Sequence, residues 1–315
     1  MVVVLSGRFF LPFNFLIMEK KDKLNIVCFG EILWDVFPTH KKIGGAPLNV
    51  ALRMNSVGVS SSIISKIGND ENGKEIIEYI ENHNMSSELI QVDSDYKTGV
   101  VHVMINEKGN ASYDIHYPSA WDKISINNTI EQQVSEADAF VLGSLICRDE
   151  ISRASLFSLL DKAKYKILDA NLRSPYYTTD VLIELMNKAD FIKLNDEELV
   201  EISKKMDSPY NSFEQNIKFI AEQTNTKQIC VTKGAFGAVL FSNGKFYYNS
   251  GYFVNVVDTV GAGDSFLATL IVRLLRGKSP QKSLNYACAI GALVAASEGA
   301  NPQISEKEIK KFMMI

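Results

Sequence analysis

The sequence predicts an α/β fold: a mostly parallel sheet covered by helices, with a second, smaller β-sheet beside it. Three observations carry that expectation. From residue 25 onward, short apolar runs rich in Val, Ile and Phe alternate with longer segments of helical period, which is the pattern of stacked βαβ units. Residues 99–106 and 111–117 break the rhythm. Two strand-like runs follow each other there with only Glu107, Lys108, Gly109 and Asn110 between them, and such a pair reads as a β-hairpin. The chain is also long enough, at 315 residues of which 46% are hydrophobic, to fill the core of one large domain.

Residues 1–23 read as an N-terminal extension, spurious or dispensable. Their apolar stretch, 9–17, is too short to cross a bilayer as a helix and is interrupted by Pro12 and Asn14. A signal peptide is the alternative; against it, no small-residue cleavage pattern precedes the charged run 19–23, and Met18 is placed to start a compact protein. The domain then runs over 24–315. Strands are expected at 25–30, 61–68, 139–145, 165–171, 190–195, 228–233 and 237–241. Helices fall between most of them, for example near 47–57, 72–82, 152–164 and 213–224. The hairpin follows an early βα pair, and with 36–43 as a further strand it makes a small separate sheet. Lid strands are thus expected from about 35–43 and 97–118, positioned to close over a ligand.

Charge and cysteine usage exclude several functions. A formal net charge of -4 and a pI near 5.7 give no basic excess, and no dense Lys/Arg tract is present to neutralise a phosphate backbone, so nucleic acid is not the expected partner. No membrane partner is expected either. Cys28, Cys147, Cys230 and Cys288 lie far apart without a CxxC or Cys/His cluster, which suggests neither a zinc site nor a disulfide framework and fits a reducing cytoplasm.

The chemistry concentrates in residues 254–275. A strand ending at Asp258 leads through Thr259, Val260, Gly261, Ala262 and Gly263 into an apolar helix that ends near Gly277. Two glycines let the backbone approach a ligand closely. The free N–H groups and positive dipole end of the helix suit an anion, and a phosphoryl group in transfer is the obvious one. Asp264 stands in the first turn, where its carboxylate is expected to be ionised: a weak base in the ground state, but placed to align an alcohol and take its proton late. The plain alternative is a helix cap after a glycine turn. The segment is not a Walker A loop, because Gly277, Lys278 and Ser279 lack the upstream glycine. Nor is it a dinucleotide fingerprint, because Phe266 stands where the third glycine belongs.

Three further segments add to it. Gly44 and Gly45 precede a helix with Pro47 at about its first position, so their backbone N–H groups are available to sugar hydroxyls, with Asn49 able to donate and accept on the first turn; a simple strand-to-helix turn reads the same way. Asn195 and Glu198 open a helix after an apolar strand, where they can hold a phosphate and, through water, magnesium. The same spacing is also a capping box. Thr232, Gly234 and Gly237 lie in a glycine turn between two strands, which either receives a nucleotide or is a plain hairpin.

Taken together, GEILWD, GGAPLNVA, DANLR, LNDEE, TKGAFG and DTVGAGDSF resemble the ribokinase-type (PfkB) sugar kinase family from about residue 24 to the C-terminus. The resemblance implies a ribokinase-like, Rossmann-type three-layer sandwich with a small β-sheet lid, and transfer of the ATP γ-phosphoryl group to an alcohol with magnesium, in many members with potassium. By motif position it implies Asp264 as the base and Gly261, Ala262 and Gly263 as the anion hole. Asn195 and Glu198 match the phosphate and magnesium motif, Thr232, Gly234 and Gly237 the nucleotide-binding turn, and Asp35, Gly44, Gly45 and Asn49 the sugar contacts. Asp258 and Val260 fall where members with a monovalent-cation site supply oxygens. GEILWDVFP, GGAPLNVA, the GSL at Gly143 and DANLR look most like fructokinases, with Arg173 meeting the phosphoryl group or the substrate. Ala46, where ribokinases carry lysine, favours a hexose over ribose. Val260 replaces a common threonine, which leaves the backbone hole intact. Trp121 reads either as a ligand contact or as packing.

The expected course is sugar first, at Asp35, the glycine pair and Asn49, then lid closure, then in-line attack of a primary hydroxyl oriented by Asp264. Kinases for 2-keto-3-deoxygluconate, ribose or a nucleoside are the alternatives on the same machinery. A non-catalytic sugar- or nucleotide-binding regulator is the alternative of another class, and a nicotinamide oxidoreductase is opposed by the missing fingerprint. Exposed lid edges suggest a homodimer.

Overall fold

A computed structural model describes residues 23–105 and 111–314. The expected turn at 107–110 and nearly all of the N-terminal extension lie outside the described residues.

Apolar runs become strands where the sequence places them, and both faces of the sheet are covered. The first part of the chain forms β1 (Asn25–Phe29), β2 (Leu33–Val36), β3 (Lys41–Gly44), α1 (Ala46–Ser56), β4 (Ser60–Gly68) and α2 (Glu71–Asn82). Next come β5 (Ile90–Asp93), β6 (Gly99–Ile105), β7 (Ala111–Ile115), α3 (Asn128–Glu136), β8 (Ala139–Gly143), α4 (Glu150–Leu160) and β9 (Lys166–Asp169). The middle continues with α5 (Thr179–Lys188), β10 (Phe191–Asn195), α6 (Asp196–Lys205), α7 (Phe213–Gln223), β11 (Gln228–Thr232), β12 (Ala238–Ser242) and β13 (Lys245–Asn249). Helices α8 (Ala262–Leu275), α9 (Pro280–Ala295) and α10 (Glu306–Phe312) complete the described chain.

The main sheet has nine strands in the order β13-β12-β11-β10-β9-β8-β1-β4-β5. Pairing is parallel from β5 to β11, and β12 and β13 add an antiparallel edge. Alternate residues of one strand feed opposite cores: Val27 and Phe29 of β1 join the apolar cluster under α3 to α7, while Ile26 and Cys28 join the one under α1, α2, α8 and α9. The result is a three-layer sandwich, with its parallel strands all delivering their C-terminal ends to one edge, where ligands of open α/β sheets bind.

The small sheet runs β3-β2-β6-β7. Its β6–β7 and β2–β3 pairs are antiparallel, and β2 lies parallel to β6. Val101, Val103 and Ile115 face the core, while His102, Met104 and Tyr113 are exposed. One expected strand, 36–43, is instead two. Pro38 has no N–H to give a ladder, and Phe37 N–H donates to the His40 carbonyl at 2.8 Å, closing a turn in which the two rings stack 4.6 Å apart. Strands β5 and β13 lie outside the sequence expectation, since IQVD and KFYYN are short and half polar. Helix α4 starts earlier than expected, because the Asp149 carboxylate accepts from Ile151 N–H and fixes its first turn.

Trp121 packs rather than lining a cleft. It is fully buried, with the Arg148 guanidinium 3.9 Å from its ring centroid. Arg148 donates through Nε and Nη2 to Asp122 at 2.8 and 2.7 Å, and both side chains are almost wholly out of water. Removing one partner strands the other charge in the interior, so Asp122→Ala is expected to lower unfolding stability by roughly 3–5 kcal/mol. Urea unfolding monitored by tryptophan fluorescence reads that loss; a midpoint equal to that of the parent would show the pair to be energetically idle.

Candidate active site

The bend ahead of α8 is a glycine structure for a steric reason. Gly261 sits at φ +74°, and a Cβ there would run into Ala300. Ala262 N–H bonds the Thr259 carbonyl at 3.3 Å and Ser265 N–H the Gly261 carbonyl at 2.8 Å. The amides of Gly263 and Asp264 have no backbone partner among the described residues, so the donors left open at the helix start are these two. A Cβ on Gly263 would stand 3.5 Å from Lys193 Nζ, which places an ammonium directly beside those amides.

Lys193 is there because of sheet register. It lies opposite Asp169 on the adjacent parallel strand, and the two buried side chains pair at 3.0 and 3.2 Å. Burial alone would lower the lysine pKa, but the charges of Asp169, Glu198 and Asp264 overcome it and raise it. Asp264 itself is half-buried, with Asn49 Nδ2 donating to its Oδ2 at 2.8 Å. Burial and the Asp169 charge push its carboxyl up to about 6, against the Asn49 hydrogen bond and the charges of Lys193 and Arg173. The sequence led to an ordinary ionised carboxylate at a helix start; the dry cleft makes it a stronger base than that.

The sugar motif and the helix bend meet at Asn49, which is buried on α1. Gly44 has the Asp35 carboxylate where its Cβ would be, and Gly45, at φ +112°, has the Glu31 carbonyl there. Both positions exclude a side chain. Burial pushes Asp35 up to about 6, with Arg173 opposing. A cavity of about 290 Å³ opens between the small sheet and the α8 approach, lined by Trp34, Asp35, Lys42, Val260, Gly299 and Ala300. Arg173 is exposed, its Nη1 donating to the Leu172 carbonyl at 3.0 Å, and its charge reaches Glu31, Asp35 and Asp264.

Asn195 and Glu198 form the capping box. Asn195 Oδ1 accepts from Glu198 N–H and Glu198 Oε2 from Asn195 N–H, each at 2.8 Å, while Glu198 Oε1 accepts from Leu172 N–H at 2.8 Å. Burial, then Asp169, raises the Glu198 pKa against the pull of Lys193. Thr232 ends β11, its hydroxyl on the Leu194 carbonyl at 3.3 Å, and Gly234–Phe236 make a short 3-10 turn. Gly237, at φ +78°, packs against the backbone of Asn249 and Gly251. Beyond that turn Phe253, Val256 and Val257 are exposed. Asp258 accepts three hydrogen bonds: Oδ1 from Val260 N–H at 3.0 Å, and Oδ2 from Lys42 Nζ at 3.0 Å and Gly299 N–H at 3.2 Å. These bonds hold its pKa down although burial would raise it.

Sequence reasoning missed Lys193, Asp169, Glu31, Lys42 and Asn301. Lys193 left a trace, a lone lysine inside the apolar strand FIKLN; Asp169 and Glu31 lay inside quoted motifs but were given no role; Asn301 had no signal. Glu31 is 3% exposed, its Oε2 has no partner among the described residues, and burial pushes it up to about 7 against the backbone N–H groups of Glu31 and Ala46 and the Arg173 charge.

A family model described as pfkB family carbohydrate kinase matches residues 16–307. An uncharacterized sugar kinase of Pyrococcus horikoshii is 30% identical over 291 residues, covering 89% of either chain. Fructokinase-2 of Solanum lycopersicum is 26% identical over 309 residues, 89% of this chain and 92% of the relative. Among solved structures, that P. horikoshii kinase in complex with ATP superposes with a TM-score of 0.77 at 28% identity, over 91% of this chain and 97% of the other. A fructokinase with bound ATP from Xylella fastidiosa gives 0.81 at 21% identity, over 92% and 98%.

A folded-state Glu31 that keeps its proton to about pH 7, against 4.5 ordinarily, binds more protons than the unfolded chain between those values. Stability from this group is therefore present below pH 4.5 and lost as pH rises through 7. Glu31→Gln should raise the Tm of the ligand-free protein at pH 8 by roughly 2–4 °C, with the gain closing by pH 5. Calorimetry at the two pH values checks this; an equal Tm at pH 8 would contradict it.

Proposed function

Because the chain belongs to the pfkB family of carbohydrate kinases, and so transfers a phosphoryl group to a sugar hydroxyl, we propose that its donor is ATP and its acceptor fructose. The observation that carries this reading is the convergence of Asp264, the open amides of Gly263 and Asp264, and the Lys193 ammonium at one point of the cleft. The fructokinase relatives and the ATP complexes of similar structures support the choice of sugar and donor.

The sugar binds first, in the cavity beside Asp35, with Gly44, Gly45 and Asn49 meeting its hydroxyls. The small sheet then closes as a lid and excludes water that would otherwise take the phosphoryl group. Asp264 holds the attacked hydroxyl through the oxygen Asn49 does not engage and takes its proton as the new P–O bond forms and the bond to the ADP oxygen breaks. The charge spread over the phosphoryl oxygens is met by the helix-start amides, by Gly261 and Ala262 holding that bend, by Lys193 and by Arg173. Asn195, Thr232, Gly234 and Gly237 cradle the nucleotide, and Phe253, Val256 and Val257 offer apolar surface to its base.

Among the described residues no group of three or more His, Cys, Asp or Glu side chains could cage a metal. Magnesium fits all the same, since it keeps its waters and needs one or two carboxylates beside phosphate oxygens. Glu198 would hold it through water, and it would neutralise charge on the triphosphate. A potassium ion would have to share the Asp258 carboxylate and Val260 with the Lys42 ammonium, and no step is routed through one. The four cysteines, all free and buried, fit the reducing cytoplasm. The edge strands β3 and β7 and the exposed Met104 and Tyr113 support a homodimer through the small sheet.

Coupled ADP release with fructose, 2-keto-3-deoxygluconate, ribose and nucleosides should show fructose with the highest kcat/KM; a higher value for another alcohol would replace the substrate but not the mechanism. With fructose, Asp264→Asn should lower kcat by roughly 10²–10⁴ with little change in sugar binding. The parent's kcat should fall below about pH 6, where Asp264 takes up a proton. Near-normal turnover by Asp264→Asn would refute the base.

A further inference from the structure

The loop after α9 reaches back into the cleft and is tied there twice. Asn301 Nδ2 donates to Asn49 Oδ1 at 3.1 Å, and Asn49 Nδ2 donates to Asp264 Oδ2 at 2.8 Å. One turn along α1, Arg53 Nη2 donates to the Pro302 carbonyl at 3.0 Å and Nε to Ser265 Oγ at 3.0 Å. The two rungs use neighbouring residues on each segment: 49 and 53 on one face of α1, 264 and 265 on α8, 301 and 302 on the loop. Arg53 is 2% exposed and makes no ion pair among the described residues, so its hydrogen bonds to the loop and to α8 are what compensate its burial. The same loop supplies Gly299 N–H to Asp258 and Ala300 to the Gly261 bend.

An amide has two ends of nearly equal size and opposite hydrogen-bonding character. An ionised carboxylate only accepts, so Asn49 serves Asp264 only when its NH₂ faces Oδ2, and nothing in the shape of the side chain selects that orientation. The Asp264 carboxylate selects it from one end, and Asn301, whose own Oδ1 has no partner among the described residues, secures it by donating to the other. A flipped Asn49 would set two acceptors against each other at Asp264, and two donors at Asn301 unless that amide turned with it.

We propose that Asn301 is a positioning residue for phosphoryl transfer: it fixes the Asn49 amide and so leaves the second Asp264 oxygen aimed at the substrate hydroxyl, with Arg53 holding the loop that carries it. This rests on Asp264 as the base. The consequence is electrostatic as well as geometric. The Asn49 hydrogen bond lowers the Asp264 pKa, in concert with Lys193 from β10 and Arg173 from the loop after β9 and against burial and Asp169 from β9; Glu31, beyond β1, is coupled to it as well. Losing the bond moves the protonation of Asp264 upward.

The test is Asn301→Leu, branched at the same carbon though larger and without a donor, with Asn301→Gln as the variant that retains an amide, assayed with ATP and fructose. The Leu variant should lose about tenfold in kcat at pH 7, the upper end for one hydrogen bond between neutral groups. Its KM for ATP should stay within about twofold, and the acid limb of its kcat–pH profile should move to higher pH; Gln should recover part of both. Asn301→Ala reads the same limb should the Leu variant not fold. An acid limb that stays in place, whether kcat is normal or falls in step with Tm, overturns the proposal. Asp264→Asn run alongside separates the two readings. Near-normal turnover there removes the base and this proposal with it, whereas an inactive Asp264→Asn beside an unmoved Asn301→Leu limb removes only the role of Asn301.

Discussion

Charge held out of water governs this molecule's cleft. Asp264, Asp169, Asp35, Glu31 and Glu198 converge with only Lys193 and Arg173 close enough to be felt by several of them. Burial pushes Asp264, Asp35, Glu31 and Glu198 toward their neutral forms. Asp169 is claimed by Lys193 and Glu198 by backbone N–H groups, but Asp264 has a single neutral donor, Asn49, and is left poised near its protonation point. A base needs that condition: ionised at neutral pH, yet with appetite for a proton.

The fold supplies the arrangement through register and one tight bend. Parallel pairing sets Lys193 opposite Asp169, and the left-handed Gly261 lets α8 begin against Ala300, so its open amides face that ammonium. The sugar motif enters from the other side on α1 and the small sheet. Asn49 is thereby bonded to Asp264 although more than two hundred residues separate them in sequence. Lys42 of the small sheet reaches Asp258 at the foot of the bend and so ties that sheet to the start of α8.

Much of this was legible in the sequence because it depends on local patterns. The βαβ rhythm gave the parallel strands, the unbroken pair at 99–117 gave the second sheet, and the glycines at 44, 45 and 261 marked places where side chains do not fit. What was not legible depends on distant partners. Pro38 turned one apparent strand into two, and β5 and β13 are edge-side strands whose pairing, not composition, makes them. Lys193 and Asp169 become a pair only through register, and Asn301 acquires meaning only when the chain end folds back on α1. Asn195 and Glu198 show the reverse case, where the plain capping reading and the functional one describe the same two residues.

The central claim is that a sugar hydroxyl, the Asp264 carboxylate and the terminal phosphoryl group meet at the start of α8. A crystal structure with fructose and a non-hydrolysable ATP analogue tests it most directly. A fructose hydroxyl oxygen is expected within about 2.6–3.2 Å of the Asp264 oxygen that Asn49 does not engage, with the γ-phosphoryl group against the Gly263 and Asp264 amides. Both ligands bound in full while Asp264 touches only Asn49, and the triphosphate lies away from that helix start, would contradict it.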